Sequence, residues 1–367
     1  MTAAGAELRR IAVVLPNWLG DLVMAMPLLE LLDRTRAAQR LDCELVTVVR
    51  RRWAPLVARD PRIATVLPYE RTGRHAGWRG VPRLARDLRD AAVDAVILCP
   101  PSLRMALVGL LARVPRRIGY ATAGRGPLLT LALPPHPRGR LHHSDELRRL
   151  GLTLLETLGL PPAGDAGRLP RLPGLDELAP TSLPEGPPLW ILAPGATYGP
   201  AKTWPRARAA EFLELAVRER GVRVAVVGDT ATADFARELR ALTGDLGWRR
   251  ELAGGAGVVD LVGGTTLMDL AALLKSTQAF LGNDSGVMHL AAALGVPTLG
   301  LFGSSSAAWT APLGRNARAM TASGFACQPC FRRTCNQAVF CLDTLSGAEV
   351  FGTLRGMLAG GRQKEAT

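Results

Sequence analysis

Gln278–Gly303 reads QAFLGNDSGVMHLAAALGVPTLGLFG. QAFLGND is a continuous apolar run closing on polar residues, as expected of a strand buried on both faces of a parallel sheet. Gly286–Leu294 then carries helical spacing, and PTLGLFG restarts the strand pattern. Strand, short polar turn, helix and strand make a βαβ unit, which fixes a right-handed crossover between parallel strands. The alternation continues outward from this unit. Upstream lie the strand LWILAPG, a helix over Ala207–Arg220, the strand VRVAVVGD and a helix over Leu267–Leu274. The first half repeats the pattern with strands IAVVLP (11–16), CELVTVVR (43–50), VDAVILCP (93–100) and RRIGY (116–120). Helices are expected between them, in LVMAMPLLELLDRTRAA, Leu84–Asp90 and Met105–Ala112. Residues 160–188 are dense in proline and glycine and keep no period, so they read as a connection. The expectation is an α/β chain of two doubly wound domains, 1–180 and 181–367. A length of 367 residues suits two domains of ordinary size.

The composition is that of a globular protein, 48% hydrophobic and 21% charged, without an uninterrupted apolar segment long enough to span a bilayer. MTAAGAELRR leads straight into a strand and has no apolar signal core, so the expected location is the cytoplasm. The formal net charge is +13 and almost wholly arginine, lysine occurring only at 202, 275 and 364. Residues 1–180 hold 27 arginines against 17 acidic residues, so the excess lies in the first half. That favours an anionic partner there or, equally, a solvated basic surface. Nucleic acid is not expected as the partner: aromatics are 5% of the chain, and no stacking or groove-reading motif is present.

Ligands of doubly wound sheets bind at the carboxyl ends of strands, so the turns after the strands matter most. After QAFLG come Asn283, Asp284, Ser285 and Gly286, then a helix. Free N–H groups at a helix start, with a glycine that lets an anion approach, suit a phosphate. His289, four residues after Ser285, shares its face and can donate to a phosphate oxygen. Asp284 would repel a diphosphate, which suits it to accepting from sugar hydroxyls. The plain alternative for this turn is a capped helix with a satisfied histidine. After LWILAPG, Lys202 is a compact point charge in a chain that otherwise uses arginine, suited to a leaving diphosphate. After IAVVLP, Asp21 sits where a helix begins and has two readings, N-cap or general base. A dinucleotide dehydrogenase is excluded: the first turn has one glycine, and the second strand runs into Arg50–Arg52 rather than an acidic residue.

PNWLGDLVMAMPLLELL, PGATYGPAKTWP and NDSGVMHLAAALGVPTLGLFGSSSAAWTAPLG resemble the bacterial ADP-heptose:lipopolysaccharide heptosyltransferases, the heptosyltransferase II members in particular. The likeness runs in order along nearly the whole chain. It implies a GT-B fold, two Rossmann-like domains facing across a cleft, with a final helix near Ala348–Leu358 returning to the first. The second domain would hold ADP-heptose, and the first a heptosylated, lipid-linked inner-core acceptor. By the same resemblance Asp21 is the catalytic base, Lys202 lies at the donor phosphates, Asp284 contacts the heptose, and Ser285, Gly286 and His289 bind the diphosphate. Thr197 falls near the diphosphate or sugar. The implied reaction is one inverting displacement, with no cofactor; the turns carry no D-x-D pair, so no catalytic metal is required. Arg50, Arg51, Arg52, Arg104 and Arg117 are acceptor candidates, as are Arg116 and Arg125, and contact with the inner membrane would be peripheral and electrostatic. The alternatives are another transferase of the family, heptosyltransferase I included, or a non-catalytic sugar-nucleotide-binding protein.

Cys327, Cys330, Cys335 and Cys341 stand close together, at spacings unlike a zinc ribbon. In a cytoplasmic chain a structural metal precedes a disulfide as an explanation, and free thiols remain a third. Cys43 and Cys99 lie in apolar runs and read as buried hydrophobes.

Overall fold

The apolar runs become the centres of two parallel sheets because a strand covered by helices on both faces needs apolar side chains on both. The computed structural model describes residues 8–164 and 167–365, the last five by their backbone alone. The chain divides into two units, Met1–Glu177 and Leu178–Thr367. The first holds β1 (Arg10–Val14), β2 (Glu44–Arg50), β3 (Ile63–Tyr69), β4 (Ala95–Leu98), β5 (Arg116–Tyr120) and β6 (Leu131–Leu133). The second holds β7 (Leu189–Ala193), β8 (Arg223–Val226), β9 (Gly257–Asp260), β10 (Ala279–Asn283), β11 (Thr298–Phe302) and β12 (Ala317–Thr321).

The sheet orders are β3-β2-β1-β4-β5-β6 and β12-β11-β10-β7-β8-β9, and every pairing is parallel. Each is the dinucleotide-fold order, so both units are Rossmann-like. Their order reverses between β1 and β4 in the first unit and between β7 and β10 in the second. In doubly wound sheets ligands bind at such reversals.

The expected helix over 22–38 is broken in two, Leu19–Met24 and Met26–Ala38. Pro27 explains the break, since it tolerates only the first turn of a helix. Against these segments lies His143–Thr157, a helix the sequence reading does not anticipate. Its Gly151 admits close approach, because a Cβ there would come 2.5 Å from Leu28 Cδ1. In the second unit Trp190, Phe212 and Phe351 meet with ring centroids 6.2–6.3 Å apart. Burying rings of this size stabilises the unit by roughly 2–3 kcal/mol each. Phe351 belongs to the final helix, Gly347–Glu365, which packs on Arg206–Glu214. No helix of the described residues is long and apolar enough to cross a membrane.

Candidate functional site

The reversal between β7 and β10 gathers the second unit's candidates. Lys202 comes from the turn after β7; Asp284, Ser285, Gly286 and His289 come from the turn after β10 and the helix Gly286–Ala293. Lys202 Nζ lies 2.5 Å from Asp284 Oδ2, with side chains 17% and 6% exposed. His289, itself buried, places Nε2 at 3.8 Å from the other carboxylate oxygen. Burial alone would raise the Asp284 carboxyl. The His289 imidazole and the Lys202 ammonium outweigh it and hold the group at about 2. Asp284 is therefore an anion that fixes a lysine, a role the sequence does not reveal.

Ser285 is the N-cap residue, in extended conformation, yet its side chain makes no capping hydrogen bond. Its Oγ is buried with no partner. A buried hydroxyl without a bond is costly and calls for an explanation. At the start of a helix of this length, an anion supplies one. Ser304 Oγ and Ser305 Oγ, in the turn after the neighbouring β11, are buried and unpartnered in the same way. The sequence reading gave these serines no role; the signal available was a polar GSSS turn beside the β10 turn. Asn283 has a different task. Its Oδ1 accepts from Trp204 N at 3.2 Å and its amide donates to Pro194 O, tying the β7 turn to β10.

Thr197 is exposed in that β7 turn. Tyr198 beside it donates to Phe331 O at 2.6 Å and has the Lys202 ammonium 5.1 Å and the Arg333 guanidinium 5.5 Å from its ring centre. Gly199 lies against Arg333 O, where a Cβ would stand 2.7 Å away. The cysteine-bearing segment thus braces the turn that carries Lys202. Cys327, Cys330, Cys335 and Cys341 are free and line one cavity of about 20 Å³. No three His, Cys, Asp or Glu side chains among the described residues are placed to hold a metal ion.

In the first unit Asp21 lies in the first turn of Leu19–Met24. The cap position belongs to Trp18, three residues before Asp21, so the N-cap reading of Asp21 does not hold. A carboxylate in that turn is favourable toward the helix dipole. The turn is anchored through Asn17: its carbonyl accepts from Trp53 Nε1 at 3.0 Å and Arg52 at 3.2 Å, and its side chain accepts from Tyr69.

The arginine candidates separate by their partners. Arg50 stands 6.0 Å from the centre of the Tyr69 ring. Burial and then the like charge of Arg50 lower the Arg52 guanidinium; burial and then Arg71 lower Arg104. Arg104 also donates to His75 O. Arg50, Arg52, Arg104 and Arg71, the last missed from sequence, therefore crowd positive charge around Tyr69, which feels three of them. Arg51 is outside this group because Glu70 neutralises it at 2.6 Å. Arg117 is half-buried and spends its guanidinium on Leu128 O and Val114 O, at 2.8 and 2.6 Å. Arg125 departs furthest from the surface role expected of it. It is fully buried, donates to the carbonyls of Tyr120, Pro100 and Leu98, and burial pushes it down to about 10.

The chain is similar to proteins of known family and structure. Residues 81–340 match the model of glycosyltransferase family 9 (heptosyltransferase). Lipopolysaccharide heptosyltransferase 2 of Salmonella typhimurium is 31% identical over 84% of this chain and 87% of that one. The Escherichia coli protein of the same name is 29% identical over the same shares. The solved structure of E. coli ADP-heptose lps heptosyltransferase II superposes with a TM-score of 0.72 at 25% identity, covering 96% of this chain and 99% of that chain. The chain belongs to glycosyltransferase family 9, the heptosyltransferases.

Proposed function

We propose that this chain is an inverting heptosyltransferase, moving heptose from ADP-heptose to the heptosylated inner core of lipopolysaccharide. The observation that carries the donor half is the buried Lys202–Asp284–His289 group beside the unbonded Ser285 hydroxyl at a helix start. Ser285, the Gly286 backbone and His289 take the diphosphate, with Thr197 at the edge of the site. Asp284 accepts from heptose hydroxyls and holds Lys202 toward the phosphates. Asp21 removes the proton of the acceptor hydroxyl, whose oxygen bonds to the anomeric carbon. The bond from that carbon to the phosphate oxygen breaks, and ADP leaves with the electron pair. Lys202, His289 and the helix start stabilise the charge it gains.

The acceptor carries its anionic groups to the first unit, where Arg50, Arg52, Arg71 and Arg104 crowd together, none of them paired with a carboxylate among the described residues. A lipid-linked acceptor also requires work at the cytoplasmic face of the inner membrane, with peripheral attachment. The test is transfer from ADP-heptose to a heptosylated core acceptor and to the same core lacking heptose, with product linkage read by nuclear magnetic resonance. Transfer to the heptosylated core alone, with inverted anomeric configuration, is expected. Retained configuration or preference for the bare core contradicts the reading.

A further inference from the structure

β1, β2 and β3 are neighbouring parallel strands, so the turns that follow them lie along one edge of the sheet. Each of those turns carries a tryptophan, and together they hold three of the seven in the chain: Trp18, Trp53 and Trp78. Trp18 is 51% exposed and Trp78 70%. Arg52 lies against the first two, 5.9 Å from the centre of the Trp18 ring and 4.4 Å from that of Trp53.

The longest of the three turns, residues 70–79, is exposed but anchored. His75 is buried beneath it, with Nε2 2.9 Å from Asp87 Oδ2 and Nδ1 accepting from Glu70 N at 3.2 Å. Gly80 closes the turn against His75, because a Cβ there would stand 2.1 Å from the His75 carbonyl carbon. Trp78 is thus held out in water by a fixed loop. The helix Gly80–Asp90 follows, burying Val81, Leu84, Ala85 and Leu88 and exposing Arg83 and Arg86. Residues 71–90 hold six arginines and two aspartates. Asp87 pairs with Arg74, whereas Arg71, Arg79, Arg83 and Arg86 have no carboxylate partner among the described residues.

A single exposed indole is ordinary, but two of them along one edge, Trp18 and Trp78, set among arginines without carboxylate partners, point to a docking surface. Tryptophan settles at the boundary of headgroups and acyl chains, and arginines beside it meet anionic headgroups. We infer that this edge of the first unit docks on an anionic lipid surface, with Trp78 at the acyl boundary and Arg79, Arg83 and Arg86 against the headgroups. The inference rests on the lipid-linked acceptor for its purpose, while its chemistry stands on the exposed indole and the uncompensated charge.

The test is co-sedimentation of the full chain with vesicles of phosphatidylcholine alone and with added phosphatidylglycerol. Binding to the anionic vesicles only, falling with salt, is expected. Arg83→Gln/Arg86→Gln weakens it roughly fivefold per arginine removed, and Trp78→Ser removes quenching of tryptophan fluorescence by bromolipid. Transfer of heptose to a delipidated, water-soluble core acceptor stays at the wild-type rate in both variants. Vesicle binding that is insensitive to salt and to these substitutions overturns the inference, as does tighter binding of an RNA duplex that displaces the vesicles. Such a result leaves the proposed function standing, which fails only if the soluble acceptor is not glycosylated.

Discussion

Lys202 Nζ and Asp284 Oδ2 are 2.5 Å apart, joining the turns after two adjacent strands of the second unit across the point where its strand order reverses. The two residues are 82 positions apart in the chain. A mostly buried ion pair contributes little net stability when intact, but removing one partner strands the other. Its value here is positional, since it fixes the Lys202 ammonium between the turns after β7 and β10.

Asp284→Asn is expected to destabilise the protein by ~2 kcal/mol near neutral pH, because the carboxylate is held far below its ordinary value. The sign follows from that direction. A carboxyl with its folded value lowered to about 2 contributes stability fully above its ordinary 3.8, and that contribution is lost as pH falls through 2. Thermal melts of the two proteins should therefore differ most near neutrality and converge in strong acid. A gap that widens on acidification would refute the assignment.

Ser285→Ala separates ligand binding from folding. The hydroxyl has no hydrogen-bond partner, so its loss breaks no bond within the protein and the melting temperature should hold or rise. ADP affinity should fall by roughly 10- to 100-fold, the worth of one hydrogen bond to a charged ligand. Calorimetric titration with ADP measures it, and unchanged affinity removes Ser285 from the phosphate site.

Arg125→Met should act in the opposite way. Three backbone carbonyls inside the first unit lose the Arg125 guanidinium, Tyr120 O and Pro100 O keeping only the Thr122 and Ser102 groups, so a cost of ~2–4 kcal/mol in urea unfolding is expected. The KM for acceptor in the fraction that remains folded should not change. A raised acceptor KM at unchanged stability would restore the surface role.

The thiols should differ sharply toward a neutral-pH alkylating reagent. Burial pushes Cys43 up to about 11 and Cys99 to about 12, while Cys327 is exposed. Mass mapping should find Cys327 labelled first and Cys43 and Cys99 last. Early labelling of Cys99 would contradict its burial just past the end of β4.

The eight strands legible in the sequence are the eight inner strands of the two sheets, and the four that are not, β3, β6, β9 and β12, are the four edges. The reason is physical. β1, β7, β10 and β11 are buried along nearly their whole length and write continuous apolar runs, whereas β3 and β12 are half-exposed and β6 has three residues. The turns carrying chemistry were legible because they follow inner strands. What a turn residue touches was not: sequence separates Lys202 from Asp284, and Arg125 from the carbonyls that occupy it. Arg71 escaped notice because only the fold brings the end of β3 beside Arg104, and Ser304 and Ser305 because an unmet hydrogen bond has no sequence signature.

The most direct test of the account concerns Asp21, the residue expected to take the proton. Asp21→Asn keeps the size of the side chain and removes its basicity. Its kcat with ADP-heptose and a heptosylated core acceptor should fall by roughly 10²- to 10⁴-fold, the range for a lost general base. The affinity for ADP, measured on the same sample, should stay at the wild-type value. A variant that binds ADP normally and transfers heptose at the wild-type rate would contradict the central claim.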